Sequence, residues 1–110
     1  MRDFTFVDDA VEAFLLAAAS EDANGQVFNL GSEEAIDLKT LADLLVEVNG
    51  KGEYAVRTFP ADRKAIDIGD YYSDFTRIRD ELGWHPRVGL DEGLRRSINF
   101  YREHGADYWP

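Results

Sequence analysis

The sequence predicts an α/β fold of mixed α+β type, with about four helices and a few short strands. Three observations predict it. Apolar residues recur at helical spacing in four stretches, short alternating stretches separate them, and the boundaries fall on Asn-Gly, Gly and Pro.

Phe4 and Phe6 alternate with Thr5, which predicts a short strand over residues 3–7. Asp8 or Asp9 then caps a helix running to about Ser20, with Val11, Phe14, Leu15 and Ala18 on one buried face. That helix carries almost no charge after Glu12, so burial on more than one side is expected. Asn24-Gly25 turns the chain into a strand over 26–30 that ends at Gly31. A short strand at Ala35-Ile36 follows. Asp37 N-caps a helix from Leu38 to Val48, striped by Leu41, Leu44, Leu45 and Val48 and stopped by Asn49-Gly50.

Tyr54 to Phe59 alternates and predicts a strand closed by Pro60. Residues 60–70 are polar and irregular. Tyr71-Tyr72-Ser73 suits a short strand. Asp74 caps a brief helix from Phe75 to Leu82, with Gly83 as its stop, and Trp84-His85-Pro86 turns the chain. The last long helix opens at Leu90 and runs to about His104, burying Leu94, Ile98 and Tyr101, and Gly105 ends it. An aromatic tail follows.

A length of 110 residues sets the limit at one domain, and a 45% apolar content supplies a core. Acidic residues outnumber basic ones 22 to 12, for a formal net charge of −10. Such a field disfavours nucleic acid and anionic membrane as partners, and solubility is its simpler account. The absence of cysteine excludes disulfides and thiolate metal sites. No apolar run reaches membrane-span length and no signal peptide precedes the first strand, so a cytoplasmic protein is the default.

Direct signs of catalysis are missing. No Gly-x-x-Gly-x-x-Gly loop offers a phosphate cradle, and no Ser/His/Asp order suggests a nucleophile. His85 reads as a turn residue and His104 as a partner of a helix C-terminus, with no metal site. Isolated arginines such as Arg2 and Arg63 favour surface ion pairs, Arg2 with Asp3 and Arg63 with Asp62 or Asp67.

Six strings, in order, change that weighting. They are Arg2-Asp3-Phe4-Thr5-Phe6-Val7-Asp8-Asp9, Val27-Phe28-Asn29-Leu30-Gly31, Ile36-Asp37-Leu38 with Leu41-Ala42, Arg63 to Ile68, Asp74 with Leu82-Gly83-Trp84-His85-Pro86, and Leu90 to Leu94. Together they resemble the C-terminal, substrate-binding portion of extended short-chain dehydrogenases/reductases, the NAD-dependent nucleotide-sugar epimerases and dehydratases of UDP-glucose 4-epimerase type. Each string alone is weak.

The resemblance implies that residues 1–110 form a single nucleotide-sugar-binding domain, for a UDP-, dTDP-, GDP- or CDP-sugar. The N-terminal cofactor domain is expected to be absent, with its glycine-rich loop and its Tyr-x-x-x-Lys pair. NAD then belongs to the full-length parent, and this chain alone is expected to be inactive. Arg2 and Arg63 map onto the family's diphosphate-binding arginines, and two guanidiniums from separate loops suit that task. Asp67 either orients Arg63, the preferred reading, or binds a sugar or ribose hydroxyl. Tyr71 either faces the site or packs a strand. A homo-oligomer is expected through the apolar helix 8–20 or the edge of strand 26–30. The alternative is a stand-alone acidic protein-interaction module that kept the scaffold without the chemistry.

Overall fold

In a computed structural model that describes residues 1–109, the chain forms two short strands and five α-helices. They are β1 (Arg2–Asp3), α1 (Val7–Ala19), β2 (Ala35–Ile36), α2 (Leu38–Asn49), the four-residue α3 (Ala61–Lys64), α4 (Thr76–Leu82) and α5 (Leu90–Tyr108). A 3₁₀ turn spans Glu21–Ala23. The only sheet among the described residues is the antiparallel β1–β2 pair, with Arg2 opposite Ile36 and Asp3 opposite Ala35. Tyr71 joins it through a single parallel bridge to Arg2. The mixed α+β class holds, with helices well ahead of strands.

Local signals explain the ends of α2 and α4. The Asp37 carboxylate accepts the Thr40 N–H at 2.6 Å, and Gly50 closes α2 at a φ of 73°. That N–H also holds the Asp37 carboxyl below its ordinary value. Asp74 accepts the Thr76 N–H at 2.8 Å, and Gly83, at a φ of 72°, stops α4.

Six expectations about the elements need correction. The first strand covers Arg2–Asp3 and not residues 3–7, because pairing with β2 ends at Asp3. Residues 26–30 and 54–59 form no strand, since neither stretch meets a partner strand among the described residues. A turn before 26–30 and alternation over 54–59 pointed to strands, but a ladder needs a neighbour. Helix α1 begins at Val7 without a side-chain cap, so Asp8 and Asp9 lie inside its first turn. Irregular 60–70 contains α3. Finally, α5 runs through Gly105 to Tyr108, where Tyr101, Tyr108 and Trp109 close on one another across the glycine. Their ring contacts outweigh a helix-interior glycine's cost of roughly 1 kcal/mol. His104 therefore sits within α5, stacked on Phe100 at 4.5 Å.

The core is small. Ala13, Ile78 and Trp84 are its fully buried apolar residues, with Leu16, Phe28, Leu30, Phe75 and Leu82 against them. Trp84 is 1% exposed, meets the Phe75 ring edge-on at 5.8 Å, and donates its indole N–H to the Asp9 carbonyl at 2.8 Å. Asp9, itself 3% exposed, accepts the backbone N–H groups of Arg87 and Val88 at 3.1 and 3.0 Å. One residue of α1 thus fixes the turn that launches α5. This reverses the expected orientation of α1. Its Ala13 and Leu16 side faces the core, while Val7, Val11, Phe14, Leu15 and Ala18 are exposed, Phe14 by 73% and Leu15 by 66%. The radius of gyration of 16.9 Å exceeds the roughly 13 Å of a close-packed domain of this length.

Asp9→Ala leaves two backbone donors without an acceptor. It is expected to lower unfolding stability by about 2–4 kcal/mol, with Asp9→Asn losing less because its one remaining oxygen still accepts. Urea titration followed by Trp84 fluorescence measures both; equal stability of Asp9→Ala and wild type would remove Asp9 from this role.

Candidate functional site

Arg2 sits where three stretches of chain meet. Its own strand pairs with β2 on one side and bridges Tyr71 on the other, and the Tyr71 N–H donates to the Met1 carbonyl at 2.9 Å. The next residue makes that junction rigid. One carboxylate oxygen of Asp3 accepts the Ser32 N–H at 3.3 Å and the Ser73 N–H at 3.1 Å. Gly31 lies against it so closely that an added Cβ would stand 2.7 Å from the Asp3 carboxylate and 3.0 Å from Ser73. Asp3, expected as a surface ion-pair partner of Arg2, instead holds two backbone amides, and Gly31, expected only as a strand end, makes room for it.

The Arg2 guanidinium turns toward the 67–69 turn. Its Nη1 donates to the Gly69 carbonyl and to the Met1 carbonyl, the latter at 3.2 Å, and its Nη2 lies 3.5 Å from Asp67 Oδ1. The other Asp67 oxygen accepts the Gly69 N–H at 3.1 Å, and Gly69 has a φ of 71°. Asp67 was expected to orient Arg63; in the structure its ion pair is with Arg2. The Arg2 side chain is 28% exposed.

Arg63 belongs to α3 and lines a shallow depression of about 580 Å³ with Phe59, Pro60, Ile66 and Asp67. Among the described residues it makes no ion pair. Asp67 is therefore the joint between the two arginines, bonded to one and sharing a depression with the other. Tyr71 is exposed, and its hydroxyl accepts from the Ser73 hydroxyl at 3.3 Å. All four predicted residues, Arg2, Arg63, Asp67 and Tyr71, lie on β1 or on the 60–71 stretch beside it.

Two other features look like sites. A groove of about 580 Å³ between α2 and α5 is walled by Leu45, Leu94, Ile98 and Tyr101 and contains none of the predicted residues. On α2, Asp43 accepts from the Lys39 ammonium at 2.8 Å and from the Tyr54 hydroxyl. The Lys39 bond holds the Asp43 carboxyl down, and the Asp43 bond pushes the Tyr54 hydroxyl up. The cluster ties Tyr54, and with it the 51–59 stretch, to α2.

The starts of α1, α2 and α5 are acidic. Asp8 and Asp9 occupy the first turn of α1, Asp91 and Glu92 that of α5, and Asp37 takes an amide at the start of α2. Acidic side chains there complement the helix dipole.

Residues 1–97 match the family model described as GDP-mannose 4,6 dehydratase. The chain belongs to that family, the NAD-dependent nucleotide-sugar epimerases and dehydratases of the extended short-chain dehydrogenase type. It is 33% identical to a dTDP-glucose 4,6-dehydratase of Streptomyces griseus, over all of this chain and 33% of that protein. It is 30% identical to a UDP-N-acetyl-alpha-D-glucosaminuronate decarboxylase of Bacillus cytotoxicus, over 93% of this chain and 32% of that one. The UDP-glucose 4-epimerase of Thermotoga maritima, solved with UDP-glucose, superposes with a TM-score of 0.80 at 33% identity, over 92% of this chain and 31% of the epimerase. The Bordetella bronchiseptica enzyme WbmF, solved with NAD⁺ and UDP, gives 0.75 at 29% identity, over 96% and 30%. The chain spans about a third of the length of the relatives it matches.

Gly31→Ala places a methyl against a carboxylate and a backbone carbonyl. It is expected to destabilise by about 1–3 kcal/mol. Thermal unfolding checks this; an unchanged midpoint would show that the Asp3 junction is loose.

Proposed function

We propose that this chain is the nucleotide-diphosphate-sugar-binding portion of an NAD-dependent sugar epimerase or dehydratase. Arg2 and Arg63 clasp the diphosphate, and Asp67 and Tyr71 flank them. The observation that carries the reading is Asp67, which pairs with Arg2 on β1 and shares a depression with Arg63 of α3. Forked, charge-assisted bonds from two guanidiniums suit a diphosphate. The printed ligands of two similar structures, UDP-glucose and UDP, support the same ligand class.

Binding energy on this remote part of the substrate positions the sugar for chemistry elsewhere. NAD is assigned to the parent enzyme and not to this chain. The reading carries with it a cytoplasmic setting; no described helix is long and apolar enough to cross a membrane. The exposed stripe of α1 is the one observation that favours a second reading, an acidic interaction module. Binding of a nucleoside diphosphate separates the two.

Titrating the chain with UDP by calorimetry is expected to give weak affinity that Arg2→Ala or Arg63→Ala lowers by roughly 10-fold or more, since each loses a charge-assisted bond. No turnover of any nucleotide sugar is expected. An Arg63→Ala variant that binds UDP as wild type does would refute the phosphate role.

The isolated chain is expected to self-associate by burying Val11, Phe14 and Leu15. Sedimentation at micromolar concentration should show a dimer or larger species that Phe14→Glu dissociates; a monomeric wild type would refute it.

A further inference from the structure

Two apolar faces of the chain lie open, and their shapes are opposite. One is convex. Val7, Val11, Phe14, Leu15 and Ala18 follow one another along the outer side of α1, all of them exposed. The other is concave, the groove of about 580 Å³ between α2 and α5 with Leu45, Leu94, Ile98 and Tyr101 in its walls. Leu45 and Tyr101 are themselves exposed there. One molecule cannot fit its stripe into its own groove without breaking its core. The opposite side of α1 is held by Ala13 in that core and by Asp9 on the Arg87 and Val88 amides.

Charge matches as well as shape. Helix α1 has no basic residue, and its stripe runs from Asp8 at one end to Glu21 and Asp22 just past the other. The groove carries Lys51 and Arg102 on its rim, together with Glu53. Neither cation makes an ion pair among the described residues, although acids outnumber bases 22 to 12 in the chain. Arg102 donates to the Asn49 carbonyl at 3.1 Å and to its side chain at 2.8 Å, neither of them an acid. Whichever way a helix like α1 runs along the groove, an acidic end meets these cations.

We propose that α1 of one copy lies in the α2–α5 groove of the next, with Val11, Phe14 and Leu15 as anchors at i, i+3 and i+4. The two faces differ, so the contact is head-to-tail. Each added copy brings a fresh groove, and the assembly grows until it closes on itself. The inference rests on the self-association stated above and goes beyond it by naming the second face. It is independent of the diphosphate site, whose four residues line neither face.

Sedimentation of variants at micromolar concentration tests it. Phe14→Glu spoils the stripe and Leu45→Glu the groove, both at exposed positions. Each alone should weaken association by roughly 10-fold or more. Mixed in equal amounts, they should form a 1:1 pair that grows no further, because the Leu45→Glu copy keeps its stripe and the Phe14→Glu copy its groove. Lys51 is exposed, and only its carbonyl is bonded, by Asn49. Lys51→Glu should therefore fold as wild type does and weaken association by roughly 2- to 5-fold, more at low salt.

A Leu45→Glu chain that associates as wild type does overturns the groove and leaves α1 packed against α1. A mixture that stays monomeric, or a Lys51→Glu chain that associates unchanged, also overturns the head-to-tail contact. A monomeric wild type overturns self-association itself.

Discussion

The Asp3 carboxylate is the interaction on which the candidate site depends. It reaches from the second residue of a two-residue strand to backbone amides at Ser32 and Ser73. Without it, the β1–β2 pair and the 71–73 stretch have little to keep them in register, since a two-stranded ladder of this length is marginal by itself. Arg2 precedes Asp3 and inherits that fixed position. Neighbouring residues thus divide the labour, with the acid organising the backbone and the base facing the 67–69 turn.

Asp9 repeats the device at the other end of the same string. Its carboxylate holds two amides and its carbonyl holds the Trp84 indole, so the start of α1 is tied to the turn before α5. Buried carboxylates that accept backbone N–H groups cost less than their charge suggests, because each amide found would otherwise need another acceptor. With three fully buried apolar residues among those described, these polar ties take a larger share of the specification than in a thick-cored domain.

Much of this was legible in the sequence. Helices were found wherever a cap, a stripe and a glycine stop coincided, as from Asp37 to Gly50. Strands were not, because alternation reports a face and says nothing about whether a neighbour is present; residues 26–30 and 54–59 both show the gap. The face of α1 was misread for a related reason. Val11, Phe14 and Leu15 are apolar, but the buried side is decided by where Trp84 and Asp9 meet, which no spacing reveals. The four candidate residues came from ordered motifs, and they lie on β1 and the 60–71 stretch. Asp3 was read as a surface partner of Arg2 and Gly31 as the end of a strand; their work around backbone amides leaves no mark in residue type.

The central claim is that a nucleoside diphosphate docks between β1 and the 60–71 stretch. Backbone amide shifts of the ¹⁵N-labelled chain, followed as UDP is added, test it most directly. The account predicts saturable shifts concentrated on Arg2, Asp3 and residues 61–71, with α2 and α5 unmoved. Shifts centred on the groove of Leu45, Ile98 and Tyr101, or none at β1 at saturating UDP, would contradict it.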